Sequence, residues 1–422
     1  MKPARVLFFT DNFPPEINAP ANRTYEHCIE WLKQGADVTV ITCNPNFPKG
    51  KLYPGYKNRL YKKEVIDGIK VVRVWSFITP NRGTVKRILD YMSFALSSFL
   101  VSLFIKTDVI IATSPQLFAA LGGYCSAALK RKPWIMEVRD LWPESIHALG
   151  AINNKSTLRK LEQLVNFLYR KANKIIVVTD SFKERISSEG IDPSKIEIVK
   201  NGVNHDRYYP EEPDQGLIRE HGLEGKFVIG YIGTHGMAHN LSMILDAAAE
   251  LNRPDIQFLF IGDGAVKNRL VIQKERLNLT NVTMLNMISG REVNRYISIT
   301  DCALVPLRKS DTFKTVIPSK IFENCAMGKP ILLGVEGESK ALIEKYGAGI
   351  AFAPDSIEDF VNKLRQLQTD PQLMEELRAG ALQLATDFDR SRLARAMWVH
   401  IIGLCSESTQ NATAPLRETV VE

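Results

Sequence analysis

Thr315-Val316-Ile317-Pro318-Ser319-Lys320-Ile321-Phe322-Glu323-Asn324-Cys325-Ala326-Met327-Gly328-Lys329-Pro330-Ile331-Leu332-Leu333-Gly334 is the stretch from which the rest of the chain is read. Pro318 presets φ for a first helical turn, Ser319 can cap it, and apolar residues recur at Ile321, Phe322 and Cys325. Gly328 and Pro330 end that helix before an apolar strand. The spacing predicts a short helix whose N-terminus carries function. Backbone N–H groups and the positive end of the dipole hold phosphate there, and Ser319 and Lys320 add a hydroxyl and a mobile charge in the same turn. Glu323, one turn on, can accept from a ribose diol; the plainer reading is a capped helix with a solvated Lys320 and Glu323.

The chain has 422 residues, 45% hydrophobic and 24% charged, enough for two cored domains. Charge is uneven. Residues 1–200 hold thirty Lys and Arg against eighteen Asp and Glu, a net of +12, and the remainder holds twenty-four against twenty-nine, a net of −5, which together give +7. A basic half suits an acidic partner such as nucleic acid, an anionic leaflet or a lipid diphosphate, or is simply a solvated excess. Six cysteines form no CxxC pair and read as reduced packing residues of a cytoplasmic protein. Lys2-Pro3-Ala4-Arg5 leads into only four apolar residues, so no secretory signal is expected.

Outward from the central stretch, apolar strands alternate with helices from residue 5 to about residue 355. Arg5 to Thr10, a proline-rich loop, a helix from Ala21 to Gln34 and a strand from Val38 to Thr42 make a βαβ start. Its loop lacks Gly-x-Gly-x-x-Gly, which argues against dinucleotide binding. The strand Trp134 to Val138 runs into Arg139-Asp140-Leu141-Trp142-Pro143-Glu144, and a polar cluster past a strand's carboxyl end faces a ligand cleft in doubly wound folds. Arg139, Asp140 and Glu144 are therefore acceptor-side candidates, with helix capping the plainer use of Asp140. Gly233-Thr234-His235-Gly236 follows the strand Phe227 to Ile232, and Gly262-Asp263-Gly264 repeats the pattern after Phe258 to Ile261. Glycines at such turns let backbone approach a diphosphate, and His235 or His239 can donate to it. HxxxH has no third ligand nearby and Asp387-Phe388-Asp389 opens a terminal helix, so no metal is expected. Tyr91 to Ile105 is uncharged with cations at both ends, and at fifteen residues is too short to span a bilayer; it either packs in the core or lies on a membrane surface.

Pro318-Ser319-Lys320-Ile321-Phe322-Glu323, with Ala326, Gly328, Lys329 and Pro330, resembles the donor-site signature of family-4 retaining glycosyltransferases of GT-B fold. It is most similar to sugar transferases of O-antigen and capsule synthesis, of the N-acetyl-L-fucosamine transferase type. The resemblance implies that Glu323 holds the nucleotide ribose, and that the family's second glutamate, on the donor sugar, is replaced by Thr315. It also implies that the loop with Pro15, Glu16 and Asn18 faces the acceptor, unless those residues only stiffen the loop. Asn286-Met287-Ile288 falls where backbone reads the base. The Asp-x-Trp-Pro pattern at Asp140 matches the O-antigen subgroup.

The expectation is thus an α/β protein of GT-B fold: two doubly wound Rossmann-like domains facing a central cleft. Residues 1–208 would bind acceptor, 209–216 would be the linker, and 217–389 would bind nucleotide sugar. A crossover helix at 390–405 and a disordered tail at 406–422 would follow. The expected activity is metal-independent, cofactor-free transfer from a UDP-sugar to a polyprenyl-diphosphate-linked saccharide at the inner membrane face. Asp140 and Lys320 are the expected catalytic residues. Gly233, Thr234, His235, Gly236, Asp263, Met287, Ser319 and Glu323 are expected at the donor. A nucleotide-sugar epimerase of the same architecture and a non-catalytic sugar-binding protein are the alternatives; no aromatic-interleaved basic module points to nucleic acid.

Overall fold

The computed structural model describes residues 3–79, 84–114, 116–148, 152 and 154–413. The chain divides into two compact units, one of residues 1–147, 151–199 and 391–422, the other of residues 148–150 and 200–390.

The first unit is built on an eight-stranded sheet. Its strands are β1 (Arg5–Phe9), β2 (Asp37–Cys43), β3 (Tyr61–Ile66), β4 (Ile69–Val74), β5 (Val109–Thr113), β6 (Trp134–Val138), β7 (Lys174–Val177) and β8 (Ile196–Ile198), ordered β3-β4-β2-β1-β5-β6-β7-β8. All pairs are parallel except the β3–β4 hairpin at the edge. Continuous apolar strands such as Val109-Ile110-Ile111-Ala112 are what a sheet covered on both faces requires, and these residues are fully buried. The covering helices are α1 (Ala19–Lys33), α2 (Thr84–Ser102), α3 (Leu117–Lys130), α4 (Glu144–Ala148), α5 (Lys155–Lys171) and α6 (Asp180–Ser188). A buried ion pair ties α1 to the sheet: Arg23 Nε donates to Glu137 Oε1 on β6 at 2.9 Å.

The second unit carries a six-stranded parallel sheet ordered β11-β10-β9-β12-β13-β14. Its elements in chain order are α7 (Gln215–Glu220), β9 (Phe227–Ile232), α8 (Leu241–Leu251), β10 (Ile256–Ile261), α9 (Lys267–Arg276), β11 (Val282–Leu285), α10 (Val293–Ser298), β12 (Cys302–Pro306), α11 (Ser319–Ala326), β13 (Ile331–Gly334), α12 (Glu338–Tyr346), β14 (Gly349–Ala351), α13 (Ile357–Thr369) and α14 (Pro371–Asp387). One apolar core gathers α8, α13 and strands β9 and β10, and another gathers α11, α14 and β12 to β14. Each unit is thus a Rossmann-like sheet covered by helices on both faces.

In both sheets the strand order reverses about one strand: β1 lies between β2 and β5, and β9 lies between β10 and β12. Loops leaving adjacent strands at such a reversal part to opposite faces and leave a crevice, which is where doubly wound sheets hold ligands.

Three expectations about boundaries are corrected. Lys200 to Tyr208 belongs with the second unit: Val203 N donates to Phe388 O at 3.0 Å, Val203 pairs with Asp389, and Tyr208 is buried in the core of that unit. The chain then re-enters the first unit as α15 (Arg390–Thr413), so the expected helix of 390–405 is longer by eight residues and the expected tail is helical to Thr413; residues 414–422 lie outside the described part. Met397, Ile401 and Leu404 join the first core, and Trp31 Nε1 donates to the Ala394 carbonyl at 2.9 Å. The Asp387-Phe388-Asp389 run is used structurally, Asp387 accepting from the Tyr346 hydroxyl at 2.8 Å.

Candidate active site

In the second unit the β9 and β12 loops flank the strand reversal, and they bring Gly233 and Lys320 together. Gly233 has φ +141°, and a β-carbon there would lie 2.6 Å from Lys320 Cε and 2.9 Å from Nζ. Only glycine lets the lysine lie flat on the backbone in this way. Lys320 Nζ is also 3.6 Å from the Tyr231 ring centroid. The Tyr231 hydroxyl donates to the Thr234 carbonyl at 2.6 Å, which locks the ring.

The amine is buried and has no hydrogen-bond partner among the described residues. Loss of water pushes its pKa down to about 7, against the opposing pull of Glu323. A buried amine with no hydrogen-bond partner and only the through-space pull of Glu323 is an unmet electrostatic demand, and an arriving diphosphate would meet it.

The glycine loops after β9 and β10 are pressed backbone to backbone. A β-carbon on Gly262, at φ +145°, would fall 1.9 Å from the Gly233 carbonyl oxygen. His235 N donates to Asp263 O at 2.9 Å and Val266 N donates to His235 O at 3.1 Å. A loop held this rigidly needs little reorganisation on binding a ligand.

Other expected donor residues fall as follows. α11 is anchored by buried Ile321, Phe322, Cys325 and Ala326, with Phe322 against Phe388 at 5.1 Å between ring centroids. Ser319 does not cap α11. Pro318, extended at ψ 134°, is the cap residue and no side chain bonds the first turn, so Ser319 is the first helical residue. Glu323 is half-buried one turn further on. Thr234 and Met287 are exposed, and Asp263 is exposed with its carboxylate accepting from the Gly264 amide at 2.7 Å. Gly236 opens the short turn to Asn240.

His235 sits at this loop as a buried neutral imidazole rather than as a cation. The His235 side chain is fully buried with its ring against Tyr231, and burial with nearby Lys267 and Lys320 pushes its pKa down to about 4. His239 is pushed down to about 3 by burial and Lys320. Both are neutral at pH 7, and both His235 ring nitrogens and His239 Nδ1 are buried without a hydrogen-bond partner among the described residues. Thr315 donates to the Thr312 carbonyl at 2.8 Å and so closes its own turn.

In the first unit, Arg139 and Asp140 leave the carboxyl end of β6, and Arg139 N donates to Ser114 Oγ at the end of β5. Burial pushes the Asp140 carboxyl up to about 6; Ser145 and the Leu141 amide oppose the rise and Glu144 adds to it. Asp140 is thus poised to exchange a proton near neutrality. Pro15 is exposed.

Three acceptor-side expectations are corrected. Glu16 is buried and Oε1 accepts from the Asn46 and Phe47 amides at 2.7 and 2.8 Å, so it fastens the loop after β2. Asn18 caps α1, accepting from Ala21 N at 2.8 Å. Glu144 pairs with Arg185 at 3.1 Å at the start of α4. Each polar group has an internal partner already.

Sequence reasoning missed Tyr231, which reads as one more apolar residue of β9, and Asp11. Asp11 follows β1 at the reversal of the first sheet; burial raises its carboxyl and Arg139 opposes the rise. Asp90, which immediately precedes the uncharged run of α2, is pushed up to about 6 by burial and by Asp11. The position of Asp11 just past a strand end was the available signal. A surface cavity of about 420 Å³, lined by Gln163, Asn166, Phe167, Arg170 and Lys171, involves none of these residues.

Known proteins resemble this chain along most of its length. Residues 21–207 match the family model "Glycosyltransferase Family 4" and residues 215–383 match "Glycosyl transferases group 1". The chain is 26% identical over 377 residues to a protein of Escherichia coli named as the colanic acid biosynthesis glycosyl transferase WcaI, covering 86% of this chain and 91% of that one. It is 22% identical over 242 residues to the N-acetylgalactosamine-N,N'-diacetylbacillosaminyl-diphospho-undecaprenol 4-alpha-N-acetylgalactosaminyltransferase of Campylobacter jejuni, covering 57% and 63%. Among solved structures, the Anabaena protein HepE in complex with UDP-glucose superposes with a TM-score of 0.71 at 15% identity, over 94% of this chain and 99% of that one.

Proposed function

The chain is a GT-B glycosyltransferase of the group 1 and family 4 type, and from that premise we propose that it is a retaining enzyme that takes its sugar from a UDP-sugar. The acceptor in this reading is an undecaprenyl-diphosphate-linked saccharide of O-antigen or capsule synthesis, met at the inner face of the cytoplasmic membrane. N-acetyl-L-fucosamine and related N-acetylated hexoses are the candidate sugars. The Anabaena complex supports a uridine donor, and the Campylobacter relative's name supports an undecaprenol-linked acceptor and an N-acetylated hexose.

The observation that carries the reading is the dry, unpartnered Lys320 amine lying on the Gly233 backbone. In the reaction the bond from the anomeric carbon to the diphosphate oxygen breaks and its electron pair stays on the diphosphate. Lys320, as ammonium, neutralises that charge without a metal ion, and the glycine loop backbone and the first turn of α11 assist. The acceptor hydroxyl attacks the same face of the sugar. Its proton passes to the departing phosphate oxygen or to Asp140, whose raised pKa suits it to receive one. Glu323 holds the ribose.

Calorimetric titration with UDP, GDP and UDP-N-acetylhexoses, in EDTA, tests the donor half. The reading expects UDP binding that survives EDTA and weakens at least tenfold in Lys320→Ala. Equal binding by wild type and variant removes its basis.

A further inference from the structure

One face of α2 meets no partner among the described residues of the first unit. Its inner face is committed: Phe94, Ala95, Ser98 and Ser102 are buried, and Ser102 Oγ donates to Ser126 Oγ on α3 at 2.7 Å. The outer face presents Leu89, Met92, Leu96 and Leu100, exposed by 50%, 53%, 60% and 49%, and the turn that follows adds Phe104 at 90%. The spacing of three, four, four and four residues makes one continuous apolar stripe. Five large apolar side chains in a row exceed the scattered exposure ordinary for a monomer.

The surrounding charge selects the occupant. Lys86 is exposed at the start of the helix and Lys106 just past its end. Lys130 Nζ donates to the Leu103 carbonyl at 3.2 Å, which sets Lys130-Arg131-Lys132 beside Phe104. Between Tyr91 and Lys132 the only acidic residue is Asp108, and Arg5 neutralises it at 2.6 Å. Asp90, the one acid within α2, is half-buried beside Asp11. An apolar stripe edged by cations and free of exposed acids fits the headgroup boundary of an anionic bilayer, where leucine and phenylalanine enter the acyl layer and lysine meets phosphate. No helix among the described residues is long and apolar enough to cross a membrane, so the contact is in-plane.

We propose that the stripe Leu89, Met92, Leu96, Leu100 and Phe104, with Lys86, Lys106 and Arg131 around it, is a docking surface for anionic phospholipid membrane. The same helix reaches the acceptor-side loop, since the Tyr91 ring lies 6.4 Å from the Trp142 ring, two residues past Asp140. Docking through α2 therefore brings Asp140 near the bilayer in which a lipid-linked acceptor resides. The surface itself needs no donor, acceptor or turnover, so its test stands apart from that of the transferase.

The test is flotation of the full-length protein with vesicles of phosphatidylethanolamine and phosphatidylglycerol, or of phosphatidylcholine alone. Wild type is expected to float with the anionic vesicles at low salt, and binding should fall at least fivefold with phosphatidylcholine or at high salt. Leu96→Glu/Leu100→Glu should lower the bound fraction at least tenfold and Lys106→Glu/Arg131→Glu at least threefold. Ile272→Glu, at an exposed position on α9, should change nothing. Melting temperatures within a few degrees of wild type show that the variants fold. Undiminished flotation of the Leu96→Glu/Leu100→Glu protein overturns the proposal. So does failure of wild type to float while it forms a dimer that this variant abolishes, which would assign the stripe to a second copy of the chain.

Discussion

Lys320 and Tyr231 form a cation–aromatic pair with Nζ 3.6 Å from the ring centroid, and the hydroxyl of that ring is anchored to the Thr234 carbonyl. The ring face stands in for the hydrogen-bond partner the buried amine lacks among the described residues, and a desolvated pair of this kind contributes about 2 kcal/mol. Tyr231→Phe keeps the face and loses one hydrogen bond, so it should cost about 1 kcal/mol in stability and leave UDP affinity within threefold. Tyr231→Leu removes the face, and UDP affinity should fall at least tenfold. Urea unfolding and calorimetry on both variants separate the two effects.

Burial of Lys320 is a cost to the fold. Its folded-state pKa, about 7, lies below the usual lysine value, so the folded protein binds fewer protons than the unfolded chain between pH 7 and the unfolded pKa. The penalty is complete below pH 7 and fades as pH rises above it. Lys320→Met should therefore be more stable than wild type at pH 6, by about 1–2 kcal/mol, and the gain should shrink by pH 9. Its turnover should drop at least a hundredfold. Urea unfolding at the two pH values checks the sign.

Gly262→Ala drives a β-carbon into the Gly233 carbonyl at 1.9 Å, where backbone meets backbone and neither can yield. The expected loss is about 3 kcal/mol or more, with donor binding lost too. Gly225, also at positive φ, has nothing within 4 Å, and Gly225→Ala should cost only about 1 kcal/mol. Thermal melts of the two variants compare crowding with backbone strain alone.

Asp140 gives a second pH test. Its carboxyl is raised to about 6, so the folded state holds this proton more tightly than the unfolded chain does. Stability from this group is lost as pH rises from the usual carboxylate value towards 6, and Asp140→Asn should be the more stable protein above pH 6. If ionised Asp140 takes or orients the acceptor proton, kcat falls below pH 6 in wild type and that limb is absent in Asp140→Asn. A pH–rate profile reads both.

Much of this was legible in the sequence. Apolar runs alternating with helical segments give the two Rossmann-like units, and the proline-led turn from Pro318 is where α11 begins. The rest was hidden for physical reasons. Tyr231 looks like core because one face of its ring is core, and only the fold shows Lys320 on the other. Glu16 and Asn18 look like ligands because a loop carboxylate and amide can bind either a sugar or their own backbone, and the partners at Asn46, Phe47 and Ala21 come from folding. The unit boundary was displaced because the tie between Val203 and Asp389 joins residues far apart in the chain.

The most direct test of the donor-site account is UDP release from a panel of UDP-sugars, including UDP-N-acetyl-L-fucosamine, with and without membrane lipid acceptors and in EDTA. Wild type is compared with Lys320→Ala and Glu323→Ala. The account predicts acceptor-dependent release that persists in EDTA and collapses in both variants. Isomerisation of the donor without acceptor, or release unaffected by loss of Lys320, would contradict it.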